Sequence, residues 1–390
     1  MQEDFLEKAN SKRNEYLLET EALFTANIFK WCSDFADHFR SVCAQIRKMQ
    51  DESSLSAISY LEYTMLYTNF IKRRYVAQVR VYGDKSYLDE NQRAVCDYDV
   101  SFLFACFDRL WDELLVERKR YIGKVSALDV KSFMMQTLPE FYSYLASVAR
   151  YVIEECVICK PFVEIETNER FMVNVGDYMA ATDSVFRECK NKDAAKLAKW
   201  FGKRFGNEYL SGDYSDLDFS GRDFSSTCFG FSRFCCSCLN NASLQGSSLI
   251  GVSFYKSCME NCNLDGSAIH EADFSYATLK DASFIEVIGR AGLPDPKKWD
   301  SVGFLPVRFR HADLTNADFT GANLAGADFT GSFLADTDFT STILSGADFT
   351  GATLCRTTFA DAAMDGAKID RAIVEELELS PEQLKAIRFI

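Results

Sequence analysis

Histidine is nearly absent from this chain: there are three in 390 residues, His38, His270 and His311. No two lie close enough in sequence to suggest a metal site or a proton relay, so neither a catalytic centre nor a bound metal is expected. Proline is scarce as well, with six. No apolar run approaches the ~18 residues that would cross a bilayer, so no membrane attachment is expected. The opening stretch, MQEDFLEKANSKRNEY, is charged and lacks an apolar signal core, which argues for a cytoplasmic chain. Fourteen cysteines in that setting read as reduced thiols and not as a disulfide framework. Basic residues are outnumbered 43 to 57, for a net charge of −14. Direct nucleic-acid binding is therefore not expected, while a basic partner surface is admissible. The glycines recur at regular intervals and make no phosphate loop, so no cofactor is expected.

What is present divides the chain in two. Residues 1–207 read as a mainly helical domain. From Glu3 to Gln50 there is no Gly or Pro, and apolar residues recur at helical spacing. Ser53 or Ser54 would cap a second helix through AISYLEYTMLYTNFIKRRYVAQ toward Gly83. DVSFLFACFDRLWDELLVERKRYIG reads as a third, and Leu128–Cys156 as one or two more, with Pro139 a kink or a boundary. FVEIETNERFMVNV alternates on both sides of TNER, which predicts a β-hairpin near 162–175. KDAAKLAKWFGKRFG gives a last short helix, with Trp200 and Phe205 expected to plug whatever follows. Cys156 and Cys159 form one C-x-x-C without a second pair or a nearby His, and read as thiols on a helix face. Asp97 and Asp99 read as capping groups.

From Tyr209 the grammar changes. A bulky apolar residue falls at every fifth position from Phe219 to Phe284 and again from Phe309 to Val374, mostly with Ala or Ser two positions before it. A period of five suits neither helix nor strand. A backbone that turns about 90° every five residues closes a coil in about twenty, and such coils stack at the strand spacing of about 4.8 Å. The bulky residue and the small one would point inward, and the other three would face water. In the second block Phe309, Phe319, Phe329, Phe339, Phe349 and Phe359 alternate with Leu or Met. This predicts a dry, four-sided core with Phe on two opposite sides.

The stretch ADLTN-ADFTG-ANLAG-ADFTG, from Ala312 to Gly331, resembles the pentapeptide-repeat family, whose unit is commonly A-(D/N)-L-x-x. The resemblance spans residues 209–376 and does not reach the helical half. It implies an α plus β-solenoid chain, with a right-handed quadrilateral β-helix over 208–376. A Pro-containing loop at 285–308 interrupts the repeats. A capping helix is expected over 377–390, where Ser380 and Pro381 make a helix start. Family members that dimerise commonly do so through this end, so Leu384, Ile387 and Phe389 are the expected cap or homodimer contact.

The resemblance also suggests function. Some pentapeptide-repeat proteins, including the bacterial quinolone-resistance type, occupy the DNA site of type II topoisomerases such as DNA gyrase. Between Ala312 and Cys355 stand six acids, Asp313, Asp318, Asp328, Asp336, Asp338 and Asp348, and no base. Over an expected rise of about 11 Å, duplex DNA carries about six phosphates. A DNA-mimicking inhibitor or protector is therefore one reading. The other is a non-catalytic adaptor, a rigid rod that presents the helical domain or the 285–308 loop, with Lys297, Lys298 and Trp299, to a protein partner. Phe333 and Ile343 at outward positions hint at contact surfaces. Cys238 and Cys258, twenty residues apart, are expected to stack on successive coils as reduced surface thiols.

Overall fold

The computed structural model describes residues 3–85, 88, 92–178, 182–203 and 206–390. They form two compact units, Met1–Lys190 with Leu293–Gly303 and Asn191–Gly292 with Phe304–Ile390. The first contains α1 (Glu3–Asp51), β1 (Ile58–Met65), α2 (Tyr67–Ile71), β2 (Val76–Tyr82), β3 (Arg93–Asp99), α3 (Ala105–Glu117), α4 (Ala127–Val157), α5 (Lys160–Val163), β4 (Thr167–Asp177) and β5 (Thr182–Cys189).

Helix α1 keeps its length because nothing in it breaks a helix, and it buries one stripe that includes Phe5, Phe24, Phe35, Phe39 and Ile46. Helix α4 starts at a capping box, with the Ser126 hydroxyl accepting from the Asp129 N–H, and runs unbroken past Pro139. Between these helices the third expected helix is present as α3, whereas the second, expected from Ser53 or Ser54 toward Gly83, fails. The unit holds a five-stranded sheet in the order β3-β2-β1-β4-β5. Ser53 caps nothing and sits in a turn at φ 54°. VAQVRVY alternates between half-buried and buried positions, as a strand with one packed face does. The hairpin at 162–175 is also corrected. TNER opens β4, whose antiparallel partner is β5, with Val173 opposite Phe186, while its other edge pairs in parallel with β1.

The second unit opens with α6 (Ala194–Phe201), capped by the Asp193 side chain. Trp200 packs edge to face on Tyr209 at 4.7 Å, but the buried plug is its neighbour Phe201, whose ring lies 4.8–5.9 Å from those of Tyr209, Tyr214, Phe219, Phe224 and Phe229. Phe205 lies outside the described residues. Parallel bridges then recur at a separation of twenty: Asp213 with Arg233, Asp218 with Cys238, Asp223 with Ser243 and Cys228 with Ser248. Each coil thus takes twenty residues and carries four bridged positions. Backbone groups are satisfied by the adjacent coil, as where Phe219 N–H donates to Cys238 O at 2.7 Å and Cys238 N–H to Leu217 O at 2.9 Å. Between bridged positions the chain turns through left-handed residues such as Asn241 and Asn316, both at φ 59°, a conformation Asn tolerates better than most.

The repeat register outlasts its sequence signal. Where a loop was expected from residue 285, Ile288 still bridges Ala268 and Asn323. Gly289 holds the inward place because a Cβ there would stand 2.9 Å from Ile269 Cγ1 and 3.2 Å from Leu324 Cδ2. Gly292 pairs antiparallel with Phe304 at the foot of the excursion, and bridges that cross it, such as Asp273 with Arg308, are 35 residues apart instead of twenty, so fifteen residues leave the repeat register, of which 293–303 join the N-terminal unit. After the last coil, β6 (Lys368–Ile369) pairs in parallel with β7 (Arg388–Phe389), on either side of α7 (Pro381–Ala386). Gln383 Nε2 in α7 donates to Phe359 O at 2.7 Å and to Ala362 O at 3.0 Å, which satisfies two carbonyls of that coil. Among the described residues no helix is long and apolar enough to cross a membrane.

Candidate functional site

The residue before each inward one points outward and stacks on its equivalent in the next coil. Four columns result, and they differ in chemistry. The first reads Asp213, Arg233, Ser253, Asp273, Arg308, Asp328, Asp348, Lys368. Its charges pair along the column, Asp213 with Arg233 at 2.9 Å, Asp273 with Arg308 at 2.9 Å and Asp348 with Lys368 at 2.8 Å. The second reads Asp218, Cys238, Cys258, Thr278, Asp313, Phe333, Thr353, and the third Asp223, Ser243, Asn263, Ser283, Asp318, Asp338, Thr358. The fourth is Cys228, Ser248, Ala268, Ile288, Asn323, Ile343, Ala363, and carries no charge at any level.

The six acids have local work. Asp313, Asp318, Asp328, Asp338 and Asp348 each accept, through Oδ1, the N–H two residues on, at 2.8–3.2 Å. Such side-chain turns fix the corner that follows. Four of the six also pair with bases outside the stretch: Asp313 with Lys280, Asp328 with Arg310, Asp336 with Arg356 and Asp348 with Lys368. The hydrogen bond from Arg356 holds the Asp336 carboxyl below its usual range. At Asp348 partial burial works against ionisation, but Lys368 and Thr350 outweigh it and the shift is downward. Only the stacked pair Asp318 and Asp338 makes no ion pair among the described residues. Phe333 and Ile343 stand where Asp makes the turn bond elsewhere. Neither side chain can accept it, yet both are exposed, at 53% and 42%.

The segment with Lys297, Lys298 and Trp299 belongs to the N-terminal unit. Asn14 clamps its backbone, donating to Lys297 O at 3.0 Å and accepting from Trp299 N–H at 2.9 Å. The Trp299 indole N–H donates to Tyr144 Oη at 2.7 Å, and the Tyr144 hydroxyl in turn donates to the buried Glu21 at 2.9 Å. Glu21 also accepts from Gly303 N–H at 3.1 Å. Lys298 pairs with Asp300. Burial raises the Glu21 carboxyl above its ordinary value, and the bonds from Gly303 and Tyr144 only partly offset this. Folding therefore takes up a proton here. The stabilisation is complete below the unfolded glutamate range and is lost as pH rises through the folded value. In urea melts from pH 4 to 8, Glu21→Gln is expected to flatten that loss relative to the parent. Parallel pH profiles for the two chains would show that Glu21 does not titrate there.

The remaining predicted positions are quickly placed. Phe309, Phe319, Phe329, Phe339 and Phe349 are fully buried and Phe359 is 2% exposed. Cys238 and Cys258 bridge on successive coils. Ile387 is buried, whereas Leu384 and Phe389 are exposed and the Arg371 guanidinium lies over the Phe389 ring. Cys156 is buried, with its thiol pushed up to about 12 by burial first and by Cys159 second. Asp99 caps the turn after β3 by accepting from Ser101 N–H. Among the described residues, no three His, Cys, Asp or Glu side chains come together in a way that would hold a metal ion.

A family model for pentapeptide repeats matches residues 229–266, 307–340 and 332–371. Similar solved structures include QnrB1, a plasmid-mediated fluoroquinolone resistance protein, at 16% identity and a TM-score of 0.34, covering 48% of this chain and 86% of that one. HetL, a pentapeptide repeat protein involved in heterocyst differentiation regulation from the cyanobacterium Nostoc sp. strain PCC 7120, is 17% identical, with a TM-score of 0.17 and coverage of 45% and 97%. Rfr23 from the cyanobacterium Cyanothece 51142 is also 17% identical, with a TM-score of 0.17 and coverage of 40% and 87%. No curated protein sequence matches the chain. The family model and the twenty-residue register agree, and the C-terminal half of this chain is a run of pentapeptide repeats.

Proposed function

We propose that the chain is a non-catalytic binding protein whose repeat segment offers a protein partner the uncharged fourth column. One observation carries this reading. In a segment where outward positions are otherwise rich in Asp, Ser and Thr, one column carries no charge and holds Ala268, Ile288, Ile343 and Ala363, with Asn323 between the two isoleucines, and Ile288 and Ile343 are 46% and 42% exposed. Aligned apolar side chains on a regular surface mark contact sites more often than scattered ones do. The inserted segment at 293–303 is held within its own unit by Asn14, Tyr144 and Glu21, which favours the column over the segment as the presenting element. The test is affinity capture with the full chain against Ile288→Lys/Ile343→Lys, with Asp318→Lys/Asp338→Lys as control. A partner retained by the parent and the control but lost from the isoleucine variant supports the reading. A partner set that ignores both isoleucines removes it.

A second reading, inhibition or protection of a type II topoisomerase by DNA mimicry, is favoured by the Asp318–Asp338 pair. It is weakened by the pairing of the other four acids, because a mimic needs carboxylates unpaired and spaced like phosphates. Under this reading the parent inhibits gyrase supercoiling at micromolar concentration and Asp318→Lys/Asp338→Lys loses the effect at least tenfold. Equal activity of the two chains, or none from either, excludes it. A homodimer through the C-terminal end would rest on Leu384 and Phe389, and sedimentation velocity of Leu384→Glu/Phe389→Glu checks it.

A further inference from the structure

We propose that Cys238 and Cys258 together form a two-thiolate site for a soft monovalent cation such as Cu(I). The two residues are bridged partners on successive coils of the second column. Cys258 is exposed and Cys238 half-buried, and neither is in a disulfide. Stacked side chains on neighbouring strands stand about 4.8 Å apart. The Cα spacing lies within disulfide reach, but a disulfide would draw the Cβ atoms to about 3.8 Å and the sulfurs to about 2 Å. A linear thiolate–metal–thiolate unit, with bonds of about 2.3 Å, spans about 4.6 Å, close to the spacing of stacked strands. Soft thiolate pairs select Cu(I) among biological cations. Zinc would ask for four ligands, and no group of three metal-binding side chains exists among the described residues.

The surroundings leave both thiols available. Ser220 Oγ donates to Asp218 Oδ1 at 2.6 Å, which leaves its oxygen to accept from the Cys238 thiol at 3.0 Å on the side away from Cys258, and that proton is the one a metal ion would displace. Among the described residues the Cys258 thiol makes no hydrogen bond, and the turn N–H that an Asp in its place would bind, that of Glu260, donates to Asn240 Oδ1 at 2.9 Å. Burial and then the Cys238 thiol, Glu260 and Cys236 raise the Cys258 thiol above its ordinary value. The same negative charge that resists ionisation attracts a cation. Binding is a proton exchange with no change of oxidation state: one M⁺ displaces two thiol protons and forms two metal–sulfur bonds, leaving a complex of charge −1.

The test uses the full chain under anaerobic conditions, with Cu(I) delivered in competition with a chromogenic bidentate Cu(I) chelator. The parent is expected to retain one tight equivalent. Cys238→Ser and Cys258→Ser should each lose it, while Cys236→Ser and Cys355→Ser keep it. Because two protons leave, affinity should weaken about 100-fold for each unit of falling pH, against about tenfold for a single thiol. Cys236, Cys258 and Cys355 are exposed and Cys238 is half-buried with its side chain outside the core, so circular dichroism should show the variants folded. Retention of the tight equivalent by both Cys238→Ser and Cys258→Ser, or a tenfold pH slope, overturns the proposal.

Discussion

Replacing Phe329 by alanine is expected to destabilise the repeat segment by about 3–5 kcal/mol, the usual cost of deleting a buried ring. The ring has no exposure. It stacks on Phe309 and on Phe349 at 4.9 Å each, with interplanar angles of 5° and 2°. It also meets Phe319 at 6.0 Å and Phe339 at 5.4 Å, edge to face. Removing one ring leaves a hole bounded by four others, and the coil cannot collapse into it. Each coil is bonded above and below, so its height is fixed by hydrogen bonds and its width by turns. A solenoid feels such a loss mainly through nearest-neighbour coupling. The lesion therefore uncouples the coils on either side of it as well as weakening its own. Chemical denaturation followed by far-ultraviolet circular dichroism, with Phe329→Leu as the milder companion, checks this. A loss below about 1 kcal/mol for alanine would place the ring outside any packed core.

The repeats were legible because an inward position every fifth residue is a constraint no surface can imitate. The register of twenty follows from it, and so Cys238 over Cys258 was readable in advance. The partners of the acids were half readable. Arg356 and Lys368 stand twenty residues from Asp336 and Asp348, so counting bases only within Ala312–Cys355 hid them. Lys280 reaches Asp313 across the inserted segment, and the offset there depends on how many residues leave the coils. That number was unreadable because Gly289 erased the bulky residue at its place. The uncharged fourth column was missed for the same reason, since Ile288 aligns with Asn323 and Ile343 only once fifteen residues are known to leave the register. The N-terminal sheet failed on different grounds. Strand β1 is buried at seven of its eight positions, so it has no alternation, and a short apolar run of that kind does not distinguish strand from helix. TNER looked like a turn because it is polar. It is polar because the first four residues of β4 are half-buried or exposed, before the strand enters the core at Phe171.

Trp299→Ala is expected to destabilise the N-terminal unit by about 2–4 kcal/mol, somewhat less than a fully buried Trp because the side chain is half-buried. Three losses combine. The indole packs against the unit's apolar core. Its N–H bond to Tyr144 Oη disappears and leaves a hydroxyl oxygen with one partner fewer. The segment's own order also suffers, since the Asn14 clamp and the Gly303–Glu21 bond hold a chain that the indole no longer pins. Trp299→Phe keeps most of the packing and forfeits the N–H bond, so it should cost about 1 kcal/mol. The ordering matters more than either value. A residue kept for a partner would show little change in stability and a large change in binding. A residue kept to anchor its own segment shows a graded loss of stability from Phe to Ala, and earlier proteolytic cleavage within 293–303. Thermal unfolding and limited proteolysis of the three full-length chains separate the two cases. Equal melting temperatures across the set, with cleavage unchanged, would return the segment to the role of a free binding loop.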